Sequence, residues 1–136
     1  MCLDTAYKQE SSPIVVGYQV RIKSAGNRYC PAHFRVYGSI GIGVWSQAVQ
    51  CPTLSTYGDT YTTGFHVFHK LADARQYARR RFPHNNNRKV IVKVACKDCI
   101  CTGSQTITDI AYQHHSQVSV FGQIKIIKEL PMKHHN

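Results

Sequence analysis

Apolar and polar residues alternate along residues 14–23. Tyr18, Val20 and Ile22 share one face, and Gln19, Arg21 and Lys23 share the other. A period of two predicts a half-buried strand. The run Ser24, Ala25, Gly26 and Asn27 predicts a turn after it. Residues 34–48 are rich in β-formers but broken by Gly38, Gly41 and Gly43, which predicts bends or bulges around Trp45, the single tryptophan. Residues 51–59, with Pro52 and Gly58, read as a loop, and residues 61–68 read as a strand. Then the period changes. Leu71, Ala74, Ala78 and Phe82 form one narrow stripe at helical spacing, which predicts a helix over 71–82. Pro83 and the asparagines 85–87 end it. On that helix Arg75 and Arg79 flank the stripe on one side and Arg81 on the other, while Arg80 and Gln76 point outward. Residues 89–95 and 117–130 read as further strand regions, with Gly122 between two β-runs. Residues 1–12 and 131–136 are polar and expected to be loose. The pattern predicts one α+β domain over 1–136, a mostly antiparallel twisted sheet with one main helix packed across it.

Composition narrows this picture. A chain of 136 residues is the size of one core. Hydrophobic residues at 43% against 18% charged exclude a disordered chain. No apolar run approaches the ~18 residues of a membrane helix. Met1-Cys2-Leu3-Asp4 lacks the order of a secretory signal, so an intracellular protein is expected. Of the six cysteines, Cys2, Cys30, Cys51, Cys96, Cys99 and Cys101, none then needs a disulfide, and free thiols are expected.

Charge changes the picture more. The net charge is +10, and nine of the seventeen Lys and Arg lie between Lys70 and Lys97 beside one acid, Asp73. A localised positive field attracts phosphate polymers or acidic protein surfaces. Arg75, Arg79, Arg80, Arg81, Arg88 and Lys89 are the candidate contacts, neutralising phosphates without reading bases. Tyr18, Tyr29, Tyr37, Tyr57, Tyr61, Tyr77 and Tyr112 include possible stacking partners for bases, although half-buried β positions account for most of them.

Other constellations are weaker. Cys96, Cys99 and Cys101 give one C-x2-C, half of a zinc site, without a second half at the usual spacing. His66 and His69 lie at a strand-to-helix junction, and His66 is the candidate acid or base. His114 and His115 form a second pair. Gly41-Ile-Gly43 lacks the third glycine and the helix of a dinucleotide fingerprint, and neither a Walker loop nor a nucleophile elbow occurs. No cofactor is expected.

Gly64-Phe-His-Val-Phe-His-Lys-Leu-Ala-Asp-Ala74-Arg-Gln-Tyr77-Ala78, with residues 90–95 after it, resembles a motif of small uncharacterised phage and large-DNA-virus proteins. Gly17-Tyr18-Gln19-Val20 matches their opening strand and residues 118–127 their closing strand. The resemblance covers about half the chain and implies a viral accessory or virion-associated protein, placed in the virion or in host cytoplasm or nucleus. The same segment is similar to the nicotinamide-pocket strand and helix of ADP-ribosyltransferases, with Ala74-Arg-Gln-Tyr77 in the place of their Ser/Ala-x-x-Tyr helix. That similarity implies a split sheet crossed by a helix. The acid those enzymes carry near the last strand pair is missing from residues 115–120, and their first-strand His or Arg could only be Arg21.

The expected function is therefore non-enzymatic: a basic protein that binds nucleic acid or an acidic partner through residues 70–97. One alternative is a degenerate or divergent ADP-ribosyltransferase-like enzyme or nucleotide binder. The other is a structural capsid or interaction protein that forms homo-oligomers.

Overall fold

The computed structural model describes residues 3, 5–7, 15–24, 26, 28–31, 39–55, 58, 60–81, 89–108 and 113–131. In chain order these form β1 (Thr5–Tyr7), β2 (Val16–Ser24), β3 (Arg28–Pro31), β4 (Ile40–Gly41), β5 (Trp45–Gln47), β6 (Pro52–Leu54), β7 (Thr60–Thr62), β8 (Phe65–Phe68), α1 (Leu71–Arg81), β9 (Lys89–Thr108) and β10 (Gln113–Leu130). Two long strands dominate. β9 has 20 residues and β10 has 18, paired antiparallel from Thr108 opposite Gln113 to Ile91 opposite Leu130.

The expected α+β class is corrected by this arrangement. The fold is essentially all-β, an eight-stranded sheet and a two-stranded ribbon, with one helix of 11 residues in the described chain. The helix has a clear sequence period, whereas half of the main hairpin does not. Residues 96–108 carry thiols, a glycine, a serine and threonines, and they are held as strand by pairing with β10 and β1 rather than by their own propensity.

Strands β2, β9, β10 and β8 pair in a closed circuit. β2 lies antiparallel to the first half of β9, and Tyr18 opposite Phe68 joins β2 back to β8. β3 and β4 extend from β2, while β5 pairs with β10 at Lys125 opposite Trp45. At about 3.4 Å per residue, a straight β9 would reach roughly 65 Å, twice the ~30 Å of a small domain. The hairpin therefore coils, and its bend is visible. Asp98 takes the left-handed conformation (φ 60°) opposite Gly122, and the register slips beside them, between Val120 and Phe121. Gln123 Nε2 donates to Asp98 Oδ2 at 2.8 Å across the bend.

The alternation of faces along the strands distributes the apolar residues between two clusters. Ile91, Cys101, Val118 and Val120 join Val20, Phe68 and Leu3 beneath Ala74, Tyr77 and Ala78 of the helix. Val92, Val94, Cys96, Phe121, Ile124 and Ile126 join Tyr29 and Val67 on the other face. Because β2 runs between the two clusters, Gln19 and Arg21 are buried as well as Val20 and Ile22. The half-exposed strand expected for residues 14–23 is thus a doubly buried one.

Three local expectations also change. Leu3 is fully buried and Thr5–Tyr7 pair with β9, so these four residues are not part of a free arm, while the rest of 1–12 lies outside the described residues. Pro52 opens a strand, tolerated because β6 pairs with β7 alone and one edge needs no donor. The strand expected at 61–68 is two, broken at Gly64. A Cβ there would stand 2.6 Å from the Phe121 carbonyl oxygen, so only glycine permits this approach. Phe82, Pro83, Arg88, the asparagines 85–87 and the tail after Pro131 lie outside the described residues.

Candidate nucleic-acid interface

The helix arginines were the leading sequence candidates, and the fold treats them unequally. Arg75 is buried, 9% exposed, and its Nη2 donates to the Pro131 carbonyl at 3.5 Å. Arg79 is exposed and donates to Gln76 Oε1 at 3.3 Å. Lys89 is buried, and its Nζ donates to the carbonyl of Ala78 at 2.9 Å. Ala78 is in the last turn of α1, where carbonyls lack helical partners and cations are favoured. Burial pushes the Lys89 ammonium pKa down. The side chains of Arg80 and Arg81, and all of Arg88, lie outside the described residues. The expected ring of outward arginines therefore reduces, among the described side chains, to Arg79.

A different set of cations converges. Strict alternation along β9 puts Lys93 and Lys97 on the face of Ile91. Ile91 lies in the helix-covered cluster. Beyond the helix the same face is open, with Lys97 exposed and Lys93 half-buried. Lys128 lies opposite Lys93, Lys125 opposite Ala95, and Trp45 opposite Lys125. Lys97 Nζ is 3.9 Å and Lys125 Nζ 5.1 Å from the centre of the Trp45 ring. Four lysines from two strands thus share a face with one tryptophan from a third, and two of them, Lys97 and Lys125, lie against its ring. None of the four has a carboxylate partner among the described residues. Glu129 faces the other way, bonded to Lys23 at 3.2 Å and to the Tyr29 hydroxyl at 3.1 Å. From Lys93 to Lys97 the patch is about 13 Å long, and its three strands make it roughly 10 Å wide.

The sequence held one usable signal for this patch. Val92-Lys93-Val94-Ala95-Cys96-Lys97 and Ile124-Lys125-Ile126 alternate apolar with basic or small residues. Such alternation places each lysine opposite a core residue, hence outward. The meeting with Trp45 had no signal, because it depends on pairing between distant segments.

The remaining candidates are absorbed by structure. His66 Nε2 lies within hydrogen-bond distance of the Tyr61 hydroxyl, 3.3 Å, and that hydroxyl accepts the Leu3 N–H at 3.2 Å. Burial lowers the His66 pKa to about 4, with a hydrogen bond to the Gly64 backbone acting weakly the other way. A pKa this low keeps the imidazole neutral at pH 7, tied to Tyr61. His69 Nε2 and Ser119 Oγ lie 2.6 Å apart, and Ser119 Oγ is 2.7 Å from Thr102 Oγ1. Ser119 and Thr102 are fully buried, so this chain of polar groups ties β8, β10 and β9 together without offering a nucleophile to a substrate.

The cysteines do not converge either. Cys96 belongs to one cluster and Cys101 to the other, with Cys99 beside the first. Burial raises all three thiol pKa values, to about 12 for Cys96 and about 11 for Cys101, which opposes the thiolate that zinc requires. Among the described residues no group of three or more His, Cys, Asp or Glu is placed to hold a metal ion. Tyr77 is buried against Phe68 at 5.3 Å between ring centres. Among the described residues no helix is long and apolar enough to cross a membrane. No family model, no curated protein and no solved structure matches this chain.

Proposed function

We propose that this protein is a non-enzymatic binder of nucleic acid, holding the phosphate backbone on the open sheet face of Lys93, Lys97, Lys125 and Lys128. One observation carries the reading: four ammonium groups from two strands share one sheet face, none of them ion-paired among the described residues, with the Asp98 carboxylate at its Lys97 end bonded to Gln123. Phosphate contact needs only charge and reach, and lysine on a flexible stem supplies both. The net charge of +10 adds long-range attraction that speeds encounter.

Fluorescence anisotropy with labelled oligonucleotides, taken from low to physiological salt, tests this. Four lysines on single-stranded nucleic acid give a slope of log affinity against log salt of about −3. Changing all four to Gln flattens that slope and abolishes most binding at low salt. Binding untouched by the four changes would move the interface to Arg79, Arg80, Arg81 and Arg88. No binding even at low salt would overturn the reading and leave the face to an acidic protein partner.

A further inference from the structure

Trp45 is the one tryptophan of the chain, yet it belongs to neither apolar cluster. A large aromatic side chain normally gains most by joining a core. Tyr29, Tyr61 and Tyr77 do so and are buried. Trp45 instead lies half-exposed on the three-residue strand β5, which pairs with β10. Its ring is lined by the ammonium groups of Lys97 and Lys125. An exposed cation on an aromatic face is a weak contact, readily exchanged for a stronger one.

We propose that this face selects single-stranded over duplex nucleic acid, with the Trp45 ring stacking on an unpaired base while Lys97 and Lys125 move from the ring to the flanking phosphates. The inference rests on the nucleic-acid reading above and adds its substrate class. A single strand presents both partners at once, a base for the ring and phosphates for the lysines. A duplex keeps its bases stacked inside and offers a flat sheet little beyond phosphate. Every base has a π-face, so the recognition tolerates any sequence. Gln47, exposed on the same strand and two residues from Trp45, adds an amide on the ring's side of the sheet.

Because Trp45 is the sole tryptophan, its fluorescence reports the contact directly. The wild-type protein is titrated at low salt with oligothymidylate, with a duplex of equal length, and with heparin. Oligothymidylate is expected to quench Trp45 strongly and to bind more tightly than the duplex, while heparin binds without comparable quenching. Trp45→Ala is expected to weaken oligothymidylate binding about ten-fold and to leave heparin binding unchanged. Trp45→Phe retains part of the affinity. Thermal melts of both variants separate lost stacking from lost folding. Equal affinity for single strand and duplex, with Trp45→Ala neutral, would overturn the stacking proposal and leave phosphate binding standing. Failure of all three polyanions to bind would overturn both.

Discussion

Lys89 Nζ donates to the Ala78 carbonyl at 2.9 Å, closing the last turn of the helix with a buried cation. A lysine that sequence places in a basic cluster thus acts as a helix cap. Lys89→Met removes this buried donor from the Ala78 carbonyl, at a cost of about 1–3 kcal/mol. Chemical denaturation should show that loss while the salt dependence of nucleic-acid binding stays as in the wild type. Lys97→Gln should do the reverse. A Lys89 variant that bound less tightly without being less stable would contradict this division of roles.

His66 makes stability depend on pH. Its folded pKa, about 4, lies below the unfolded value of 6.5. Between those values the unfolded chain binds the extra proton, so stability falls as pH drops through that window and is level above it. The full effect is about 3 kcal/mol. Burial lowers the His69 pKa too and adds in the same direction. Unfolding midpoints measured from pH 7 to pH 4 should fall steeply, and His66→Gln should reduce the slope. An unchanged slope in the variant would show that His66 is not the titrating group.

Gly64 is expected to reject any side chain. A Cβ would lie 2.6 Å from the Phe121 carbonyl oxygen and 3.0 Å from both Ile100 and Val120. The carbonyl belongs to the β8–β10 pairing and cannot step aside cheaply. Gly64→Ala should cost roughly 1–3 kcal/mol, as overpacking does, visible as a lower thermal midpoint. A neutral outcome would mean that β8 can shift along β10.

The thiols should react in order of exposure. Of the five whose positions are described, Cys51 is exposed, Cys30 and Cys99 are intermediate, and Cys96 and Cys101 are buried. A thiol reagent followed by mass spectrometry should label Cys51 first and reach Cys96 and Cys101 only on unfolding. Early labelling of Cys96 would disprove its placement in the apolar cluster.

Local patterns in the sequence are legible where a residue's fate depends on its near neighbours. The helix at 71–81 follows from the spacing of Leu71, Ala74 and Ala78, and the alternation near Val20 marks β2. The concentration of charge was equally plain. What failed was the destination of individual side chains. Arg75 flanks the apolar stripe, yet the end of β10 reaches over it. Lys89 reads as one more surface cation until the helix end is known to lie within its reach. The second half of β9 has no strand pattern of its own, since its pairing with β10 and β1 supplies the order. Trp45, Lys97 and Lys125 come from three separate segments, so their meeting is a property of register and could not be written in any one of them.

The bend at Asp98 and Gly122 has a consequence for how the molecule comes apart. On each side of it the hairpin lines both apolar clusters, through Val120 and Phe121 on one side and through Ile91 and Val92 on the other. The two clusters therefore share a single spine. Fraying that spine from either end strips side chains from the helix-covered cluster, and strands β2 and β8 then lose a partner they also offer to the other. The protein is thus built to melt as one cooperative unit, with amide exchange at Val94 and at Val118 governed by the same global opening.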